Sequence, residues 1–244
     1  MDSSQANRIA QLQKEILSLQ GFKTNLNKTA IDMELGPINR AFPNSVFPLG
    51  AVHEYICESG TSAAATAGFI LGITSNIMRE GGVSLWISSS RTIFPPAMKS
   101  FGIDPDKFIF VDLQREKEIL WVMEEALKCE GLAAVIGEVK ELSFTASRRL
   151  QLAVEQSRVT GFVIQQNPRK LNTTACISRW KITSLASELE YSMPGVGFPR
   201  WNIDLLKVRN GKPGNWQVEW ANQRFRQITK DIPTVVEPLQ KKTG

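Results

Sequence analysis

The sequence predicts an α/β domain with a mostly parallel central sheet, a C-terminal antiparallel hairpin and an outlying N-terminal helix. Three observations lead there. From Leu49 to Ser184, short apolar runs alternate with helical segments of roughly 10–15 residues, the pattern of a parallel sheet covered on both faces. Residues 200–209 and 215–220 alternate with period two on either side of Asn210, Gly211, Lys212, Pro213 and Gly214, as a hairpin does. At 52–71 a strand-like run passes through Glu58, Ser59, Gly60, Thr61 and Ser62 into an apolar helix, the layout of a phosphate-binding loop.

Each element has its own signal. Residues 5–20 carry Ile9, Leu12, Ile16, Leu17 and Leu19 among polar residues near i, i+3, i+7 spacing and stop at Gly21, which predicts an amphipathic helix. Its apolar stripe needs a cover, supplied by its own domain or by a neighbouring subunit or partner. A polar, irregular stretch follows, with Gly36, Pro37, Pro43 and Pro48. The core then reads strand 52–56, helix 63–79, strand 83–88, short helix 96–101, strand 108–112 and helix 117–129. It continues with strand 132–139, helix 145–157 and strands 160–165 and 177–184. Beyond Phe225 the chain turns polar, with Pro233, Pro238, Lys241 and Lys242, and a loosely ordered tail is expected. The expected division is therefore 1–44 helix and linker, 45–221 core with hairpin, and 222–244 tail.

With 244 residues, 42% hydrophobic and 22% charged, the chain has enough apolar material for one large core. The N-terminus lacks an apolar leader and no run approaches the roughly 18 apolar residues of a membrane span, so a cytoplasmic location without membrane association is expected. Cys57, Cys129 and Cys176 are odd in number and widely spaced, which suggests neither a disulfide framework nor a zinc site. The formal net charge of +5 permits a polyanionic partner without requiring one. Seven basic residues fall between Arg148 and Lys181 against the single acid Glu155. Arg148, Arg149 and Arg158 are thereby candidates for contact with DNA or an acidic protein surface, or else form a solvated face. Aromatic residues are not interleaved at stacking intervals, which argues against tight single-strand binding.

The loop is most informative for what it lacks. A working phosphate loop presents a lysine to the β/γ oxygens and a hydroxyl to magnesium, whereas this chain offers Thr61, Ser62, Ala63 and Ala64. Glu58, Ser59, Gly60, Thr61 and Ser62 could still bind phosphate weakly through helix N-terminal donors, or simply cap the helix. Glu58 would repel a triphosphate. After the second strand, Ser88, Ser89 and Ser90 stand where a water-orienting carboxylate would be needed, and serine has no basic form near neutral pH. Glu138, at the end of the strand at 132–139, is a candidate acid to support magnesium, although a lone glutamate at a strand end is common. His53, the only histidine, lies inside a predicted buried strand, so it reads as structural. Glu124 and Glu125 are adjacent on a helix and point to different faces. No catalytic residues, cofactor or metal are expected, and ATP binding is expected to be weak or absent.

The residues also carry a resemblance. The segment Phe47 to Tyr55 resembles the approach to the nucleotide-binding loop of RecA-family recombinases. The runs Ile119 to Cys129, Ala134 to Glu138, Leu142 to Leu152 and Gly197 to Leu206 look like the ImuA family, and the match runs from about residue 45 to 221. The resemblance implies a RecA-like P-loop-type core without catalysis, made in the bacterial SOS response to DNA damage and supporting error-prone translesion synthesis. It implies as partners an ImuB-like polymerase homologue, an alternative replicative-type DNA polymerase and the RecA recombinase, with weak DNA binding. By analogy with RecA, the segment bearing Ile9, Leu12 and Ile16 would contact a neighbour. The family is also similar to SulA, which leaves open an inhibitor acting on a filament-forming division protein. A residual ATPase borrowing Lys140 or Lys170 is a third reading.

Overall fold

The computed structural model describes residues 33–188 and 197–228. Among these, nine strands form one sheet. They are β1 (Val52–Cys57), β2 (Val83–Ser88), β3 (Phe108–Asp112), β4 (Leu132–Val139), β5 (Thr160–Gln166), β6 (Ser178–Leu185), β7 (Arg200–Val208), β8 (Gly214–Ala221) and β9 (Arg224–Gln227). The order is β3-β2-β4-β5-β1-β6-β7-β8-β9. Pairing is parallel from β3 through β6 and antiparallel from β6 through β9. The mostly parallel α/β architecture predicted from the alternation is the one observed. All six residues of β1 are buried, because β1 lies between β5 and β6 with both faces covered.

Helix α1 (Gly60–Met78) covers one face, and helices α2 (Glu116–Leu127) and α3 (Phe144–Ser157) cover the other. The α1 face is aromatic: Tyr55 stacks on Trp180 with ring centroids 6.1 Å apart, and Phe69 packs on Trp180 at 5.8 Å. On the opposite face, Ile119, Met123 and Leu127 of α2 recur at i, i+4, i+8 and meet Val135 and Val163 of the sheet. Gly137 lets α2 seat close on β4, since a Cβ there would lie 2.6 Å from Met123 Sδ.

Three features depart from the predicted layout. Residues 33–44, expected as a linker outside the core, are part of it: Met33, Leu35, Ile38, Ala41 and Phe42 are at most 4% exposed. They fold as two 3-10 turns, Gly36–Ala41 and Pro43–Ser45, whose tight pitch gives neither helical nor strand periodicity. Asn76 Nδ2 donates to the Met33 carbonyl at 2.7 Å and ties this segment to the last turns of α1. The short helix at 95–101 is likewise 3-10, opening on Pro95 and Pro96 and closing at left-handed Gly102. The hairpin gains β9, so ordered sheet extends past residue 221 through Gln227. Phe225 fixes that strand, packing on Trp220 at 4.7 Å and Phe69 at 5.1 Å. The amphipathic segment with Ile9, Leu12 and Ile16, and the tail beyond Ile228, lie outside the described residues. Among the described residues no helix is long and apolar enough to cross a membrane.

Candidate functional site

In an open parallel sheet, ligands meet the loops at the carboxyl ends of the strands. Here β1 delivers the sequence-predicted loop to that edge, beside the ends of β5 and β6. Ser59 is extended (φ −157°, ψ 166°) and caps α1, its Oγ accepting from Ser62 N–H at 3.2 Å. Ser62 reciprocates more fully than a capping residue must. Its Oγ accepts from the backbone N–H of Glu58 and of Ser59, both at 3.0 Å, and donates to the Ser59 carbonyl at 2.9 Å. The amides of residues 58, 59 and 62, which an open loop would turn toward a phosphate, are thus taken up by the loop's own serines. Thr61 joins through its hydroxyl, 2.9 Å from Ser59 Oγ. Ser59 and Ser62 together form a capping box on α1.

The electrostatics point the same way. Glu58 reaches Lys181 Nζ on β6 at 2.8 Å, so this cation beside the loop is already paired with the loop's own acid. Sequence reasoning missed Lys181, since only the parallel register that sets Ile56 against Lys181 brings it there. Lys170, offered as a borrowed lysine, lies exposed in the β5–β6 connection. Lys140 follows β4, where the backbone N–H groups of Lys140 and Glu141 donate to Glu116 Oε1 at 2.8 and 2.9 Å.

Glu138 is 6% exposed, and its two oxygens are engaged: Trp86 Nε1–H donates to Oε1 at 2.7 Å and Gln166 Nε2–H donates to Oε2. Burial raises its pKa, with the Trp86 hydrogen bond pulling the other way. Ser88 ends β2 buried, and its carbonyl accepts from Leu113 N–H at 2.9 Å. Among the described residues, no group of three or more His, Cys, Asp or Glu side chains converges to hold a metal.

Beneath the loops lies an interaction that no sequence motif announced. Glu54, on β1, is fully buried and accepts from Arg179 Nε at 2.9 Å, from Gln165 Nε2 at 2.9 Å and from the Thr174 hydroxyl. Gln165 Oε1 in turn accepts from Leu142 N–H at 3.0 Å, and Arg179 donates to the Asn172 carbonyl at 2.5 Å. One buried carboxylate therefore holds both the loop after β4 and the connection after β5. His53 is structural, as the sequence predicts. Its Nε2–H must donate to the Pro48 carbonyl at 2.8 Å, so Nδ1 accepts from Ser178 Oγ at 2.6 Å, and that oxygen accepts from Trp180 Nε1 at 2.7 Å. Burial pushes the Cys57 and Cys176 thiols up to about 11 and about 12, which keeps both unreactive.

The basic candidates do not gather into one patch. Arg149 pairs with Glu124 of α2 at 2.6 Å and Arg148 with Glu155 of its own helix at 3.8 Å, while Arg158 is the left-handed C-cap of α3. Nine positions separate Arg149 from Arg158, about 14 Å of helix axis. Glu125 pairs with Lys128 at 2.7 Å, and Lys128 also reaches Glu124 at 3.6 Å.

No protein-family model matches the chain. Among solved structures, the RadB recombinase is similar in fold, with a TM-score of 0.56 at 12% identity, covering 82% of this chain and 100% of that one. Two curated relatives, both called Protein ImuA, come from Caulobacter vibrioides strains NA1000 / CB15N and ATCC 19089 / CIP 103742 / CB 15. Each is 34% identical over 194 residues, spanning 73% of this chain and 78% of the relative. Sequence identity at that level over most of both lengths, on a recombinase-like sheet whose phosphate loop is closed by its own serines, settles the family: the chain belongs to the ImuA family.

Proposed function

We propose that this protein is a non-catalytic, RecA-like accessory factor of the bacterial DNA-damage response that supports error-prone translesion synthesis through protein contacts. The observation that carries this reading is the phosphate loop. It lacks the lysine, its amides at 58, 59 and 62 bond internally, and Glu58 holds the adjacent Lys181. A recombinase-type sheet that neither orients nor neutralises a triphosphate retains its surfaces as its working parts. Membership of the ImuA family supports the setting, and the partners we assign are an ImuB-like polymerase homologue, an alternative replicative-type polymerase and the RecA recombinase. Affinity capture of the tagged full chain from DNA-damaged cells, with nuclease treatment, tests this. Recovery of a polymerase-like protein or recombinase after nuclease is the expected result. Recovery of division proteins in their place would overturn it in favour of a filament inhibitor.

A further inference from the structure

On the face of the sheet opposite α1, helices α2 and α3 enclose a shallow groove of about 240 Å³. Its α2 wall is Lys117, Leu120, Trp121 and Glu124, spaced i, i+3, i+4, i+7, and its α3 wall includes Ala146, Arg149 and Leu150, spaced i, i+3, i+4. One stripe from each helix thus lines a trough running along both axes. The floor is apolar. Trp121 stands 59% exposed on its rim, whereas Trp86, Trp180, Trp201 and Trp220 are at most 4% exposed. Trp216 is partly buried against the core, which leaves Trp121 as the most exposed indole, and tryptophan is the residue type that most often anchors a docked partner.

The charges on the rim select the occupant. Lys117 forms no ion pair among the described residues, whereas Arg149 is already held across the groove by Glu124, so Lys117 is the cation the lining leaves for an incoming acid. We propose that this groove receives an amphipathic helix from a partner protein, with an apolar stripe seated on Leu120 and Trp121 and a carboxylate placed toward Lys117. The inference rests on the reading that the protein works through protein contacts. The groove is remote in sequence from the phosphate loop and uses none of its residues.

Two measurements on the full chain test it. Acrylamide quenching of the wild type and of Trp121→Phe should differ, with the variant losing the readily quenched, red-shifted part of the emission. Panning a helical peptide library against the full chain should then enrich acid-bearing peptides with apolar residues at helical spacing. Their binding should shield Trp121 and weaken roughly tenfold on Lys117→Glu. Identical quenching in the two proteins would mean that another segment of the chain or a second copy fills the groove, and would overturn the proposal. So would enrichment of basic peptides, of peptides indifferent to Lys117→Glu and Trp121→Phe, or of none. ATP turnover, or capture of division proteins, would sink the functional reading while leaving these results standing.

Discussion

Replacing Arg179 with Met is expected to lower the unfolding free energy by about 3–5 kcal/mol, the cost of leaving a buried charge without its ionic partner. Glu54 is 0% exposed and the Arg179 side chain 15%, so little water can take the guanidinium's place. The remaining donors, Thr174 and Gln165, are neutral, and Gln165 is already shared with Leu142 N–H. The Arg179→Met protein should also show faster amide exchange at Leu142, because the loop after β4 hangs on Glu54 through that glutamine. The double variant Glu54→Leu, Arg179→Met should recover much of the loss, since an apolar pair needs no desolvated charge. Urea unfolding of the three proteins checks the account, and a loss below about 1 kcal/mol for Arg179→Met would show that the pair is not what holds the loops.

Acidification from pH 6.5 to 4 should remove about 3 kcal/mol of stability through His53 alone. Its pKa is lowered to about 4, by burial first, with the Pro48 hydrogen bond opposing. The sign follows from proton uptake. Between the unfolded value of about 6.5 and the folded value, the unfolded chain binds a proton that the folded chain refuses, so stability falls as pH falls through this window and levels off below it. The geometry adds to the burial: a proton on Nδ1 would reverse that bond, so Ser178 Oγ would accept from both imidazolium and Trp180 and its own hydroxyl proton would lose Nδ1 as acceptor. Unfolding measured across pH 4 to 7 for the wild type and His53→Gln isolates this group. The raised pKa of Glu138 contributes with the opposite sign in both proteins and cancels in the difference. Parallel curves for the two proteins would contradict the assignment.

Much of the fold was legible because burial imposes period on composition. Strands at 83–88, 108–112 and 132–139 stand where they were expected, as their apolar runs are bounded by turn residues and flanked by amphipathic helices. Residues 33–44 were opaque because 3-10 turns and prolines carry apolar residues without a repeat. Strand β9 was opaque because only Phe225 of its four residues is apolar. At the site, the absent lysine was plain in the sequence, whereas the closure by Ser62 was not. That closure depends on the backbone conformation of Ser59, and the Glu58–Lys181 pair depends on a parallel register between strands about 125 residues apart in the chain. The Glu54 cluster draws on β1, β5, β6 and the β5–β6 connection at once, and no local window contains it.

The central claim is that this sheet works without nucleotide. Its most direct measurement is phosphate release from Mg·ATP by the purified full chain, alone and with single-stranded DNA and the proposed polymerase-like protein, paired with calorimetric titration of Mg·ATP into the chain. We expect no release above buffer in any mixture and no saturable heat at millimolar nucleotide, because the loop's donors and the nearby Lys181 are already bound within the protein. Turnover that disappears on Lys140→Ala, Lys170→Ala or Lys181→Ala, or saturable Mg·ATP binding in the micromolar range, would contradict the claim.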